Sequence, residues 1–192
     1  ENIEIINIMC HDLRHQLHSI GKQTQLPPQF IEEMEHSISV YDSKFQTGNQ
    51  TLDVILTDKH LRCDAERIQF TCIADGEKLN FIEHSDLISL FGNALENALE
   101  YEVTVPNPGD RFINLLVRQK NDFLIINVEN YFEGELQMKD GFPVTQKQDK
   151  TLHGYGLKSI QRIVRKYEGN VHISKEGNTF LLNILIPLPK ST

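Results

Sequence analysis

Apolar residues recur at three- and four-residue spacing from the start of the chain: Ile6, Met9, Cys10, Leu13, Leu17 and Ile20. That is the stripe of an amphipathic helix. Gly21 is a stop signal, and Leu26-Pro27-Pro28 is a turn that no helix continues through. The same spacing resumes at Phe30, Ile31, Met34, Ile38, Tyr41 and Phe45. Two helices joined by a short proline turn form an antiparallel hairpin. One hairpin cannot bury both stripes, so the pattern predicts a homodimer closed as a four-helix bundle.

Gly48-Asn49 breaks this pattern, and Leu52, Ile55, Leu56 and Leu61 predict a further helix. The period then falls to two, with Ile68, Phe70 and Cys72 alternating against Gln69 and Thr71, as in a half-buried strand. Asp75-Gly76 marks a turn, and a short strand is expected over 79–82. Ser85 or Asp86 is placed to cap a strongly apolar helix from Leu87 to about Tyr101. Asn107-Pro108-Gly109-Asp110 turns the chain into two strands, 112–119 and 123–130, hinged at Asn121-Asp122. Residues 131–153 form a polar stretch without period; a loop that long in a compact domain is functional or disordered. After Gly156 the residues Leu157, Ile160, Ile163, Val164 and Tyr167 predict a helix ending at Gly169. A hairpin over 171–174 and 179–186, turning at Glu176-Gly177-Asn178, closes the chain. The expected fold class is α+β. A helical hairpin over 1–48 precedes a two-layer α/β sandwich over 49–192, one mixed sheet covered by helices.

Composition adds exclusions. The chain has 192 residues, 39% hydrophobic and 24% charged, and a formal net charge of −8. It can hold one core plus a smaller unit, and without a basic stripe it is not built to bind nucleic acid or an anionic membrane surface. Cys10, Cys63 and Cys72 have no metal-ligand spacing and read as reduced thiols of a cytosolic protein. No run approaches the ~18 apolar residues of a membrane helix, and no signal peptide is visible.

Three stretches carry chemistry. In Met9-Cys10-His11-Asp12-Leu13-Arg14-His15-Gln16-Leu17-His18, a helix places His11, Arg14, His15 and His18 on one face, offset from the apolar stripe. This is a solvated His-rich face, a metal pair at His11 and His15, or an exposed imidazole nucleophile whose proton Asp12 accepts or orients. In the helix from Leu87, the residues Asn93, Asn97 and Glu100 share a face while Leu87, Leu90, Phe91, Ala94 and Leu95 turn inward. Buried amides cost ~1–3 kcal/mol if unsatisfied, so the pair of asparagines implies partners: the sheet, or a hard cation such as Mg²⁺. Third, His153-Gly154-Tyr155-Gly156-Leu157-Lys158-Ser159 opens a helix directly after the long loop. Two glycines let backbone approach phosphates, and a helix N-terminus favours anions.

In this order the three stretches resemble the histidine kinase family of the GHKL ATPase superfamily, in particular kinases related to peptide-pheromone quorum sensors. The resemblance spans nearly the whole chain. It implies a GHKL (Bergerat) sandwich that binds ATP with Mg²⁺, a phosphoacceptor hairpin that dimerises, and a response regulator receiver domain as partner. It also implies a cytoplasmic portion reaching a membrane only through an N-terminal sensor region, in keeping with a chain that opens at Glu1 already in helical pattern. Position by position, His11 matches the phosphoacceptor and Asp12 its acidic neighbour. Asn97 matches the Mg²⁺-holding asparagine, Asn93 the preceding box asparagine, and Tyr101 a tyrosine beside the nucleotide. Gly154, Tyr155 and Gly156 lie in the glycine box that borders the triphosphate. Thr179 matches a residue near the adenine pocket, and residues 131–153 match the lid.

The departures are specific. Glu129-Asn130-Tyr131-Phe132-Glu133-Gly134 lacks the family's Asp-X-Gly-X-Gly pattern, as in the pheromone-type kinases, which leaves Asn130 as the adenine-side contact. Glu100 stands where many relatives carry Lys or Arg; Lys147, in Thr145-Gln146-Lys147, matches the subfamily's lid lysine and is the candidate cation. His15 stands where kinases with phosphatase activity often carry Thr or Asn. The degenerate box and Glu100 keep open an alternative, a non-catalytic scaffold or phosphorelay protein that does not turn over ATP.

Overall fold

The computed structural model describes residues 45–136, 138–139, 142–143 and 155–189. The predicted hairpin and its bundle lie outside these, except that Phe45 packs against the core of the α/β unit. Thr47 donates from its backbone N and its hydroxyl to Asp53 at 2.9 and 2.7 Å.

Helix α1 (Gln50–Ala65) is capped by Asn49, whose Oδ1 accepts the Leu52 N–H at 3.0 Å. This meets one of the orphan donors of a first turn. Strand β1 (Gln69–Ala74) follows. The chain then forms a 3-10 turn over Gly76–Leu79 at the expected turn, and the short strand expected over 79–82 is absent. Leu79 and Ile82 are both buried, but three-residue spacing points them to one side of a turn rather than along a pleat. The Gly76 N–H also bonds the Thr47 carbonyl at 2.8 Å instead of a strand.

Helix α2 (His84–Glu102) buries Leu87, Leu90, Phe91, Ala94, Leu95, Ala98 and Leu99. It begins earlier than the capping pattern suggests. Glu83 is the cap residue and makes no side-chain cap bond; the Tyr167 hydroxyl accepts the Glu83 N–H at 3.0 Å instead. Asp86, expected as the cap, lies in the first turn and accepts from Tyr167 and Lys166, both at 2.7 Å.

Strands β2 (Phe112–Lys120) and β3 (Phe123–Tyr131) form a hairpin whose turn puts Asn121 at φ 53°, a conformation asparagine tolerates. A two-stranded ribbon, β4 (Met138–Lys139) with β5 (Phe142–Pro143), lies within the long loop. Helix α3 (Tyr155–Lys166) leads to β6 (Asn170–Glu176) and β7 (Thr179–Pro187). The main sheet has the order β1-β2-β3-β7-β6, with β1 parallel to β2 and the other pairs antiparallel. Ile113, Leu115, Val117, Leu124, Ile126, Val128, Leu182, Ile184 and Ile186 alternate onto one face and form a single core with the helices. Each such side chain stabilises the fold by ~1.5–3 kcal/mol when fully buried. The fold is the predicted α+β layer of helices on one mixed sheet.

Candidate functional site

Asn93 and Asn97 stand one turn apart on α2, and the first turn of α3 packs onto that face. Asn93 Nδ2 donates to the Ser89 carbonyl at 2.6 Å and to Ser89 Oγ at 3.3 Å. Its nitrogen is thereby held back along the helix. Ser89 Oγ also lies 3.2 Å from Ser159 Oγ on α3, which links the two helices. A Cβ placed on Gly156 would sit 3.3 Å from Asn93 Oδ1 and 3.4 Å from both Asn97 Nδ2 and Oδ1. Only a residue without a side chain leaves that space between the two amides and the helix N-terminus. The three elements the sequence singled out here, Asn93, Asn97 and Gly156, are therefore in one place. Tyr155 is in the first turn of α3, while Gly154 and Lys147 lie outside the described residues, as do His11 and Asp12.

One turn further along α2, the Tyr101 ring packs 5.0 Å from Phe132, which in turn is 6.0 Å from Phe180. The Tyr101 hydroxyl accepts the Glu133 N–H at 3.0 Å and donates to the Glu133 carbonyl at 3.2 Å. It thus pins the root of the long loop to the helix. The Lys175 ammonium lies 5.7 Å over the Phe132 ring and bonds the Gly134 carbonyl. Asn130 is buried at the end of β3, its Nδ2 donating to the Tyr131 carbonyl at 2.7 Å. Thr179 pairs with Tyr131 in register and alternates away from the helix-covered face. Its neighbour Phe180 takes the place beside Phe132.

Sequence reasoning passed over Glu102, Ser89, Ser159, Phe132 and Phe180. Glu102 had a signal: it continues the stripe of Leu95 and Ala98 at positions that turn inward, and it is fully buried. Its Oε1 accepts the Tyr131 N–H at 2.6 Å and its Oε2 the Phe112 N–H at 3.2 Å. Burial pushes the carboxyl up to about 7, opposed by these N–H groups, by Asn130 and by Arg111. Glu96 faces the other way. Burial raises it, but Arg62 and Lys59, at 2.6 and 2.8 Å, hold it below its ordinary value and clamp α1 to α2. Burial also raises the Cys63 and Cys72 thiols, to about 12 and about 11, which disfavours the thiolate form of these two cysteines.

Among the described residues, no group of three His, Cys, Asp or Glu side chains is placed to hold a metal ion. A metal at this site would rest on amide oxygen and on its ligand's own oxygens. That suits Mg²⁺, which takes few protein ligands and keeps much of its shell in phosphate and water oxygen. No helix among these residues is long and apolar enough to cross a membrane.

The family model described as "GHKL domain" matches residues 82–187, more than half of the chain. A protein of Halalkalibacterium halodurans described as a probable C4-dicarboxylate sensor kinase is 27% identical over 199 aligned positions. These cover 93% of this chain and 36% of that protein, so the chain spans about a third of its length. Two nucleotide-free structures of the catalytic domain of histidine kinase ThkA share the fold. One is 18% identical with a TM-score of 0.56, covering 72% of this chain and 91% of that domain. The other is 16% identical with a TM-score of 0.54, covering 72% and 92%.

Proposed function

The chain belongs to the GHKL-domain family, and from that premise we propose that it is a sensor histidine kinase core that binds Mg-ATP, phosphorylates its own His11 and passes the phosphoryl group to an aspartate of a response regulator receiver domain. The observation that carries this reading is the cradle at Gly156, 3.3–3.4 Å from the amides of Asn93 and Asn97. Backbone can approach a triphosphate there, the N-terminus of α3 favours its charge, and the asparagine oxygens supply the polar wall.

Phosphoryl transfer asks the protein mainly for positioning and charge neutralisation. Mg²⁺, held through the Asn97 oxygen, would supply neutralising charge at the triphosphate. Tyr101, Phe132 and Phe180 offer aromatic surface for the base, with Asn130 as the adenine-side contact, and Lys147 and Gly154 would contribute the lid cation and the glycine-box backbone. The His11 imidazole attacks the γ-phosphorus through one ring nitrogen while the bond to the β-γ bridging oxygen breaks. ADP leaves, and Asp12 orients the ring and accepts its proton. The hairpin over 1–48 dimerises to present His11. The chain acts on the cytoplasmic side of a sensor whose anchor lies upstream.

Titration calorimetry with Mg-ATP tests the site. The wild-type chain should release binding heat, and Asn97→Ala should weaken binding by about tenfold or more, the loss of one charge-assisted contact. A wild-type chain without heat would instead be a scaffold or phosphorelay protein.

A further inference from the structure

The two edges of the main sheet differ. Strand β6 carries Lys175 and Glu176, charges of the kind that keep an edge strand from pairing. Strand β1, Gln69-Phe70-Thr71-Cys72-Ile73-Ala74, has no charge, proline or glycine, and its register with β2 runs without a bulge from Gln69 to Ala74. Gln69, Thr71 and Ile73 are exposed, and the residues between them are half-buried. Ile73, at 66%, is the most exposed large apolar side chain among the described residues.

The backbone of β1 alternates in the same way. The Gln69 N–H bonds the Arg111 carbonyl at 3.1 Å, and the Asp75 N–H bonds the Val117 carbonyl at 2.9 Å. Odd-numbered residues therefore turn N–H and C=O toward β2, and Phe70, Cys72 and Ala74 turn theirs outward. Gly76, next on the outward side, gives its N–H to the Thr47 carbonyl at 2.8 Å. Among the described residues, no backbone group takes up those of Phe70, Cys72 and Ala74. Such a row is a template for another strand.

We propose that β1 is an interaction edge for β1 of a second copy of this chain, paired antiparallel about a two-fold axis with Cys72 opposite its counterpart. In this register alone, every outward residue of one strand meets an outward residue of the other. Phe70 meets the partner's Ala74, Cys72 the partner's Cys72, and Ala74 the partner's Phe70, each pair exchanging N–H···O=C bonds in both directions. The side chains match as well. Thr71 faces the partner's Ile73, a β-branched pair at the closer, non-hydrogen-bonded positions, and Ile73 gains the cover it lacks. On the other face Phe70 lies opposite alanine, which leaves room for Phe45, whose ring is 6.1 Å from that of Phe70. The match is isologous, as a two-fold interface requires, and this selects a second copy as the occupant. A hairpin that holds two copies together, as proposed above, raises the effective concentration of the two edges, but the pairing does not depend on it. Helix α3 packs on β6 and β7 at the far side of the sheet, so the joined sheet leaves the cradle at Gly156 open.

Amide hydrogen exchange on the 192-residue chain reads this edge residue by residue. Ile73→Lys is the comparison: the exposed side chain leaves the core intact, while two lysines placed diagonally across the axis repel. In wild type the Phe70, Cys72 and Ala74 amides should exchange about tenfold more slowly than in Ile73→Lys, with the β2-facing amides unchanged. Register is read by oxidising Thr71→Cys and Ile73→Cys chains, alone and after joint refolding. Opposed positions lie within disulfide reach and diagonal ones beyond it. A disulfide joining two introduced thiols should therefore form in the mixture and in neither variant alone. Fast exchange at all three amides in wild type would leave the edge to a foreign strand and overturn the second-copy assignment. Protection that persists in Ile73→Lys would assign the edge to the chain's own residues and overturn it as well. So would a disulfide that forms as readily in one variant alone as in the mixture.

Discussion

A Cβ on Gly156 would come within 3.3–3.4 Å of the Asn93 and Asn97 amides, so Gly156→Ala sets two effects against each other. Alanine in the first turn of a helix is favoured over glycine by up to ~1 kcal/mol. The added methyl also fills space that the proposed phosphate contacts need. The variant should melt at the same temperature or slightly higher, yet bind Mg-ATP about tenfold more weakly, a loss of ~1.4 kcal/mol. Parallel losses of stability and affinity would mean that the glycine serves packing alone. Glu102 gives a second expectation at this scale. Its folded-state value of about 7 lies above the ~4.3 of an unfolded glutamate. The folded state therefore holds the proton longer, and the group's contribution is greatest below ~4.3, falls as pH rises, and levels off above about 7. Urea titrations at pH 5, 6, 7 and 8 should show wild type losing stability relative to Glu102→Gln as pH rises; parallel curves would contradict the shift.

Helix α2 is held at its start by the end of α3. The Tyr167 hydroxyl accepts the Glu83 N–H and donates to Asp86, whose carboxyl is held below its ordinary value by Lys166 and Tyr167. Tyr167→Phe removes both bonds and should cost about 1 kcal/mol, lowering Tm by ~2–4 °C in a chain of this size. An unchanged Tm would show that solvent replaces the hydroxyl. This contact also explains where pattern reading stopped at the level of elements. The β2–β3 hairpin was legible because Ile113, Leu115, Val117 and then Leu124, Ile126, Val128 alternate strictly around Asn121-Asp122. The cap of α2 was not, since Ser85 and Asp86 have capping chemistry while the actual acceptor is a tyrosine more than eighty positions away. The strand expected over 79–82 does not form, because its two buried residues, Leu79 and Ile82, stand three apart and do not alternate as a pleat does.

Across the molecule, one helix organises the proposed site. Under the proposed function, Asn93 and Asn97 would serve the phosphate end and Tyr101 the base end, about 6 Å further along the axis at ~1.5 Å per residue. The residues that meet at Gly156 were legible in the sequence. The asparagines share one helical face, the glycine opens another helix, and local spacing is enough to mark both. For the proposed base end, the sequence reading named Tyr101, Asn130 and Thr179 and passed over Phe132 and Phe180. Phe132 and Phe180 meet because β3 pairs with β7, nearly fifty residues later. Glu102 acquires partners only when the starts and ends of β2 and β3 converge on it, which no local pattern encodes. In the proposed scheme His11, outside the described residues, is delivered from the expected hairpin over 1–48. The central claim is tested most directly by incubating the chain with Mg²⁺ and γ-phosphate-labelled ATP, then measuring acid-labile label on the protein. Label on wild type, none on His11→Ala and little on Asn97→Ala is the expected result; label of equal intensity on His11→Ala would contradict it.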